Sequence, residues 1–512
     1  MKTFFALNIL VYDLLRIFEL KLLDNLWTPF FFAVISLWSI CISTILYFII
    51  SGARPLIDRS VDLYYITYPI LILSILYVFL SLFIFTVYLL TAEKVKNKQI
   101  MAMGHRAMTN KVALPNSKHK GLICPILYNH EATPHIEHHK GGSPIQLGSS
   151  NLAGEDELCS IIIAAKNEDT VIRRTVENCL KQTHKKIEVI VVCHNCTDRT
   201  YEEANVNDPR VRALEFNTKA AGKGIALNFG VSESKGNYLM ILDADGLLNY
   251  EFIERALPLF KKGYAAVQGR FKPSNRNYNF ITKLLAIEGD LWTTPYLTAR
   301  ESLDKRGGLG GTGYIIKKNI LLRVGGFTNH LVDDYELTCR LLKAKYRIGF
   351  APLCINYDEK PPSLDILLKQ RARWSKGFLD LLKHRATEFT DILGILFWLS
   401  PIAGFCGFLM LLITGYAAIF NLIFQYYPFY YASLPVDFWL IFTGLLYGAQ
   451  ALTMAKLYGR SGLRYSAYIP LYNVFILYFF VTLIRAFTIK SWSNTKTTHG
   501  FTKKSESIIL PA

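Results

Sequence analysis

Apolar positions fall into two regimes along this 512-residue chain. At both ends they form long uncharged runs, and between the ends they form short runs broken by turn residues. Residues 28–50 and 70–90 carry no charge, and each run is long enough to cross a bilayer. Toward the C-terminus, 392–422 and 438–455 are also uncharged. The run 469–489 is interrupted only by Arg485, near enough to one end to snorkel. This pattern predicts a multi-pass membrane protein. Three C-terminal runs conflict with a cytosolic tail, which needs an even number of crossings. Either 392–422, which contains Pro401, is an interfacial piece plus a span or a tight pair, or 469–489 does not cross fully.

The middle of the chain alternates. Short apolar runs at 160–165, 187–193, 211–216 and 238–243 read as buried strands. Helical patterns at 169–182, 198–205 and 222–233 separate them, the first with Asn167 or Asp169 able to cap it. Such alternation predicts a mostly parallel sheet with helices on both faces. Ligands of such sheets sit at the carboxyl ends of the strands.

The fourth strand ends in Asp243-Ala244-Asp245. Residues i and i+2 of a strand point to the same side, so the two carboxylates converge. Converging carboxylates repel unless a cation sits between them. Mg²⁺ or Mn²⁺ suits that place, with water and phosphate completing the shell; an acidic surface turn would read the same. Gly222-Lys223-Gly224 opens a helix, where backbone N–H groups favour anions. It is neither a Walker A loop nor a dinucleotide fingerprint. The run 307–313 is glycine-dense and lets backbone approach a ligand. Asp333 and Asp334 start a helical pattern at 335–344, where a carboxylate serves either as general base or as helix N-terminal acid. Gln370-Arg371-Ala372-Arg373-Trp374 lies in a helical segment, 363–383; paired arginines grip diphosphate and a tryptophan face stacks on sugar.

Charge and cysteines refine this picture. The net charge of +17 invites a nucleic-acid reading. However, Lys94, Lys96 and Lys98 follow one apolar run, and Lys490, Lys496, Lys503 and Lys504 follow the last. That is the positive-inside pattern, which marks those flanks as cytosolic and favours anionic lipid headgroups. No aromatic-basic surface for nucleic acid is recognisable. Nine scattered cysteines make no disulfide framework and fit a reducing compartment. Cys193-His194-Asn195-Cys196 is a lone Cys-x-x-Cys, a weak metal signal. Residues 92–157 hold His105, His119, His130, His135, His138 and His139 without a tight repeat, and read as a basic flexible linker. Residues 1–23 read as an interfacial amphipathic helix rather than a signal peptide.

In this order the motifs resemble those of the membrane-embedded processive glycosyltransferases of family 2, the group of cellulose, hyaluronan and chitin synthases. The resemblance covers 160–383. It rests on a first strand leading into Asn167-Glu168, then Asp243-Ala244-Asp245, Gly310-Gly311-Thr312-Gly313, Asp333-Asp334 and Gln370-x-x-Arg373-Trp374. The resemblance implies an α/β GT-A domain inserted between transmembrane helices. Its expected organisation is an interfacial helix and two spans at 1–91, a linker at 92–157 and a cytosolic GT-A domain at 158–360. An interfacial helix at 361–390, a transmembrane region at 391–489 and a cytosolic tail at 490–512 follow.

The resemblance also implies residue roles. Asp334 takes the place of the catalytic base. Asp245, with Asp243, takes that of the ligands for Mg²⁺ or Mn²⁺. Ala165, Asn167, Glu168, Asp198, Lys223, Asp243, Ala244, Gln370 and Arg373 would face the nucleotide sugar. Gly311, Thr312, Gly313, Asp333 and Trp374 would face the acceptor. Trp492 and Thr495 look like a gating-loop motif. Cys193-His194 departs from the family's acidic base-recognition pair, so His194 or Asn195 would have to bond the base. The implied activity is inverting, processive synthesis of a β-linked polysaccharide from a UDP-sugar, glucose or N-acetylglucosamine first, at the plasma membrane. An oligomer or accessory subunit is compatible with it. Two other readings stand beside it: single-sugar transfer to a lipid or glycan, and a non-catalytic export or sensing subunit.

Overall fold

A computed structural model describes residues 61–103, 157–220, 222–304, 306–385 and 436–488, with isolated positions at 394 and 423. The runs 28–50 and 392–422, the segments 1–23 and 104–156, and the tail with Trp492 and Thr495 lie outside the described residues, those two isolated positions apart.

The sheet has eight strands: β1 (Cys159–Ala165), β2 (Ile187–His194), β3 (Val211–Phe216), β4 (Tyr238–Asp243), β5 (Leu247–Leu248), β6 (Ala266–Pro273), β7 (Tyr314–Lys317) and β8 (Ile348–Asp358). Their spatial order is β3-β2-β1-β4-β7-β6-β8-β5. β1 lies parallel to both β2 and β4, and β2 lies parallel to β3. β7 runs antiparallel between β4 and β6, so the sheet is mixed beyond β4. The β3-β2-β1-β4 half is the parallel sheet that the sequence pattern predicts, and the mixed whole is of the GT-A-like, Rossmann kind that the resemblance implies.

The strands are apolar on both faces because both faces are covered. Ile161 and Ile163 of β1 enter one core with Ile172, Val176, Phe252 and Ile253. Ile162 enters the opposite core with Leu227, Val231, Leu337 and Leu341. The period of two in the strand thus assigns alternate residues to two helix layers. Helices Ile172–Leu180 and Phe252–Phe260 supply the first layer; Lys223–Glu233 and Asp333–Lys343 supply the second. Neither Asn167 nor Asp169 caps the first of these helices. Its N-cap is Val171, which makes no side-chain cap bond.

The 43-residue helix Val61–Met103 precedes the domain. Its part Val78–Met103 is, among the described residues, the one helix segment long and apolar enough to cross a membrane. The linker expected from residue 92 therefore does not begin there. Lys98 reaches Glu301 at 2.5 Å, and Gln99 accepts the Leu353 N–H at 3.0 Å, so the end of this helix packs on the domain. Toward the C-terminus, Val436–Tyr458 forms one helix over the 438–455 run. The 469–489 run, whose crossing the sequence left open, forms the helices Ile469–Phe475 and Tyr478–Ala486, joined through Ile476 and Leu477 in the right-handed helical region.

Gly224 marks a close approach between a helix and a loop. A Cβ there would lie 2.2 Å from the Thr328 carbonyl oxygen. Gly224→Ala should lower stability by about 1–3 kcal/mol through overpacking, read as a lower thermal unfolding midpoint. Gly289→Ala, whose Cβ would meet nothing within 4 Å, should leave the midpoint unchanged or higher.

Candidate active site

The carboxyl ends of β1, β2 and β4 open into a cavity of 520 Å³. Two of these ends turn through asparagines in the left-handed region, Asn167 at φ 58° and Asn195 at φ 52°. Asparagine tolerates that conformation because its short side chain bonds locally. Asn167 Oδ1 accepts the Thr197 N–H at 2.8 Å, and Asn195 Oδ1 accepts the Thr218 N–H at 2.9 Å. Asp198 likewise accepts from the Thr200 N–H at 3.1 Å and the Thr200 hydroxyl at 2.5 Å. These three side chains shape the loops, and none of them lines the cavity.

His194 does line it, and is buried. Its Nε2 lies 3.0 Å from the Thr218 hydroxyl, and its ring leans on Phe216 at 5.3 Å. Burial lowers its pKa, which favours the neutral imidazole. Ala165, Glu168, Ala244 and Asp245 complete this side of the cavity.

Asp243 is fixed from three directions. β4 carries it, its N–H donates to Thr312 Oγ1 at 2.8 Å, and its Oδ1 accepts from Lys223 Nζ at 2.6 Å. Lys223 stands in the first turn of its helix and also donates to the Gly311 carbonyl at 3.0 Å. Burial works against its ammonium, yet Asp243, Asp333 and Asp334 together hold its pKa above the ordinary value. Gly313 donates to the Ile241 carbonyl at 2.9 Å and sits at φ 66°, closing the glycine loop onto β4 behind the cavity wall. Gln268 holds the same loop: its Oε1 accepts the Gly310 N–H at 2.9 Å, and its Nε2 donates to the Gly313 carbonyl at 3.0 Å. Nothing in the local sequence marks Gln268 for this, and only the strand pairing reveals it.

Asp333 and Asp334 open the helix Asp333–Lys343 and line the cavity opposite β4. Asp334 Oδ1 accepts its neighbour's Tyr335 N–H at 2.8 Å. Gly311, at φ 77°, leaves room there, since a Cβ on it would lie 3.3 Å from Asp334 Oδ2. Burial, and then repulsion from Asp333, push the Asp334 pKa up to about 7. Burial also raises that of Asp333. Gln370, Arg373 and Trp374 meet the cavity from the 22-residue helix Leu364–Arg385. Arg373 donates to the Leu331 carbonyl at 3.1 Å; burial lowers its pKa, and the three aspartates work against that loss.

Among the described residues no three His, Cys, Asp or Glu side chains are grouped to hold a metal. The donors at the β4 end are therefore the carboxylates Asp245 and Asp243, the latter already bonded to Lys223. This all-oxygen, ligand-poor set fits a hard divalent ion that draws its other oxygens from water and a diphosphate.

The chain from 160 to 327 matches the sequence family described as Glycosyl transferase family 2, so it carries a glycosyltransferase domain. It is 30% identical over 230 residues to "Probable glycosyltransferase YdaM" of Bacillus subtilis, covering 43% of this chain and 54% of that one. It is 29% identical over 256 residues to a beta-monoglucosyldiacylglycerol synthase of Nostoc, covering 46% and 53%. It is 28% identical over 236 residues to a poly-beta-1,6-N-acetyl-D-glucosamine synthase of Staphylococcus aureus, covering 44% and 56%. The chain thus spans about half the length of these relatives.

The raised pKa of Asp334 has a stability consequence. The folded state binds this proton more tightly than the unfolded chain. The stabilisation is complete below the ordinary carboxyl value of 3.8 and is lost as pH rises through about 7. Asp334→Asn removes the cost of ionisation. At pH 8 the ligand-free variant should melt above wild type by on the order of 5 °C, with the gap narrowing toward pH 5. A variant that melts at or below wild type at pH 8 would contradict the burial of this carboxyl.

Proposed function

Starting from the glycosyltransferase domain at 160–327, we propose that the chain transfers sugar from a UDP-sugar to an acceptor hydroxyl with inversion, and does so processively to build a β-linked polysaccharide. The observation that carries this reading is the pairing of a buried, proton-attracting Asp334 with the Lys223–Asp243 strand end across one cavity. A carboxylate whose pKa lies near neutral is suited to take a proton at physiological pH.

In this reading the acceptor oxygen attacks the anomeric carbon on the face opposite the diphosphate. Asp334 takes the acceptor's proton, the bond from the anomeric carbon to the diphosphate oxygen breaks, and the diphosphate leaves with the electron pair. Lys223, Gln370 and Arg373 hold the donor's diphosphate as its charge grows. Asp245 and Asp243 would hold Mg²⁺ or Mn²⁺, which when bound neutralises that charge. His194 stands where the nucleobase would lie. Gly311, Thr312, Asp333 and Trp374 border the acceptor. The domain faces the cytosol of a multi-pass plasma-membrane protein, and UDP-glucose and UDP-N-acetylglucosamine are the first donors to try.

A second reading is favoured by the cavity's apolar wall, where Trp292, Tyr296 and Leu297 lie toward the long N-terminal helix. Such a wall also suits a lipid acceptor that receives one sugar, and one relative is a glucosyldiacylglycerol synthase.

The test uses the full chain in detergent with each UDP-sugar, Mg²⁺ or Mn²⁺, and product sizing. A ladder or polymer supports processive synthesis, and a single addition to lipid supports the second reading. Asp334→Asn should cut transfer by at least about 100-fold while leaving donor binding intact. Near wild-type turnover in that variant would refute the assignment of the base. Asp245→Asn should weaken donor binding in the presence of metal and abolish its metal dependence.

A further inference from the structure

Two tyrosines of the C-terminal helices converge on one short turn of the α/β domain. The helix Phe280–Glu288 runs into a π-helical turn, Gly289–Thr293, and widened turns of this kind cluster at functional sites. On one side of it Asp290 accepts from Arg276 at 2.6 Å and from the Tyr458 hydroxyl at 2.7 Å. On the other, Glu288 accepts from Arg371 at 2.7 Å through Oε1 and from the Tyr478 hydroxyl at 2.7 Å through Oε2.

The second cluster reaches the cavity. Arg371, Glu288 and Trp374 all line it. The Arg371 guanidinium lies 4.0 Å from the centroid of the Trp374 ring. Its side chain is 9% exposed and that of Glu288 13%, so water competes little for this pair. A flat cation pressed on an indole fixes the ring's rotation, and a carboxylate held by a second donor fixes the cation.

We propose that Arg371 is a positioning residue that sets the Trp374 indole as the acceptor platform, and that Glu288 and Tyr478 hold Arg371 in place. The proposal rests on the reading of this cavity as a glycosyltransferase site. It extends that reading to Glu288 and Tyr478, outside the family motif, and to a position inside the motif that the motif leaves open. It also ties the platform to the helix Tyr478–Ala486, whose Tyr478 packs with Leu285, Leu367 and Leu368. Displacing that helix would release Glu288 and, through Arg371, the indole.

Arg371→Lys separates positioning from mere support. Lysine can keep the ion pair with Glu288, but it has no plane to lay on the indole. The experiment measures transfer by the full chain in detergent, with a UDP-sugar at saturation and a short β-linked oligosaccharide of the same sugar as acceptor. Arg371→Lys should raise the acceptor KM about tenfold, with donor KM and kcat within about twofold and the unfolding midpoint unchanged. Tyr478→Phe should raise the acceptor KM by a smaller factor, about threefold, again without moving the donor KM. Wild-type acceptor KM in Arg371→Lys would overturn the proposal. So would a loss in which every constant falls together with the folded fraction. Absence of transfer by wild type with every donor would instead defeat the glycosyltransferase reading and remove the proposal's ground.

Discussion

The cavity is organised by the cost of holding carboxylates close together away from water. Asp243, Asp333 and Asp334 share one volume with Lys223 and Arg373. Lys223 resolves part of the repulsion by bonding Asp243 directly. The remainder falls on the pair at the helix start, where burial and repulsion from Asp333 raise the proton affinity of Asp334. Loop geometry follows from this arrangement. Gly311 brings its carbonyl to Lys223 and leaves space for Asp334, and Thr312 anchors the Asp243 N–H. A divalent metal ion bound with the diphosphate would supply the positive charge that this cluster lacks.

The sheet supplies the rigidity this needs. Parallel β1, β2 and β4 bring their carboxyl ends to one edge, while antiparallel β7 carries the glycine loop to the same edge from the other direction. Mixing strand directions at β4 places a motif some seventy residues downstream beside Asp243. Asp334, on a helix of the second layer, reaches the same point because Leu337 and Leu341 seat that helix on the sheet.

The helices outside the sheet are joined to it by buried polar contacts as well as by apolar packing. Lys98 to Glu301, Tyr458 to Asp290 and Tyr478 to Glu288 each link a flanking helix to the domain. Such bonds, unlike apolar contact, specify orientation, since a buried donor or acceptor left unmade is costly. They give the cavity a fixed relation to the apolar helices on either side.

The sequence alone determined the first four strand runs and the acidic, glycine and Gln-x-x-Arg-Trp stretches, because periodicity and turn chemistry are local properties; the other four strands and the order across the sheet came only with the fold. It determined that Asp243 and Asp245 end a strand, but not which of them Lys223 would claim. It placed Asn167, Asn195 and Asp198 near the strand ends. Only the structure showed their side chains bonding loop backbone, since left-handed turns are not visible in composition. The sequence left open whether 469–489 crosses a membrane, and the structure shows Tyr472 and Tyr478 of that run packed on the domain. Gln268 and Glu288 carried no local signal at all, and the signal Arg371 carried, as half of a diphosphate-gripping pair, did not point to Glu288. Their partners lie tens to more than a hundred residues away, and the distance between partners is set by the tertiary fold. The same holds for the proton on Asp334, whose affinity depends on burial and on its charged neighbours.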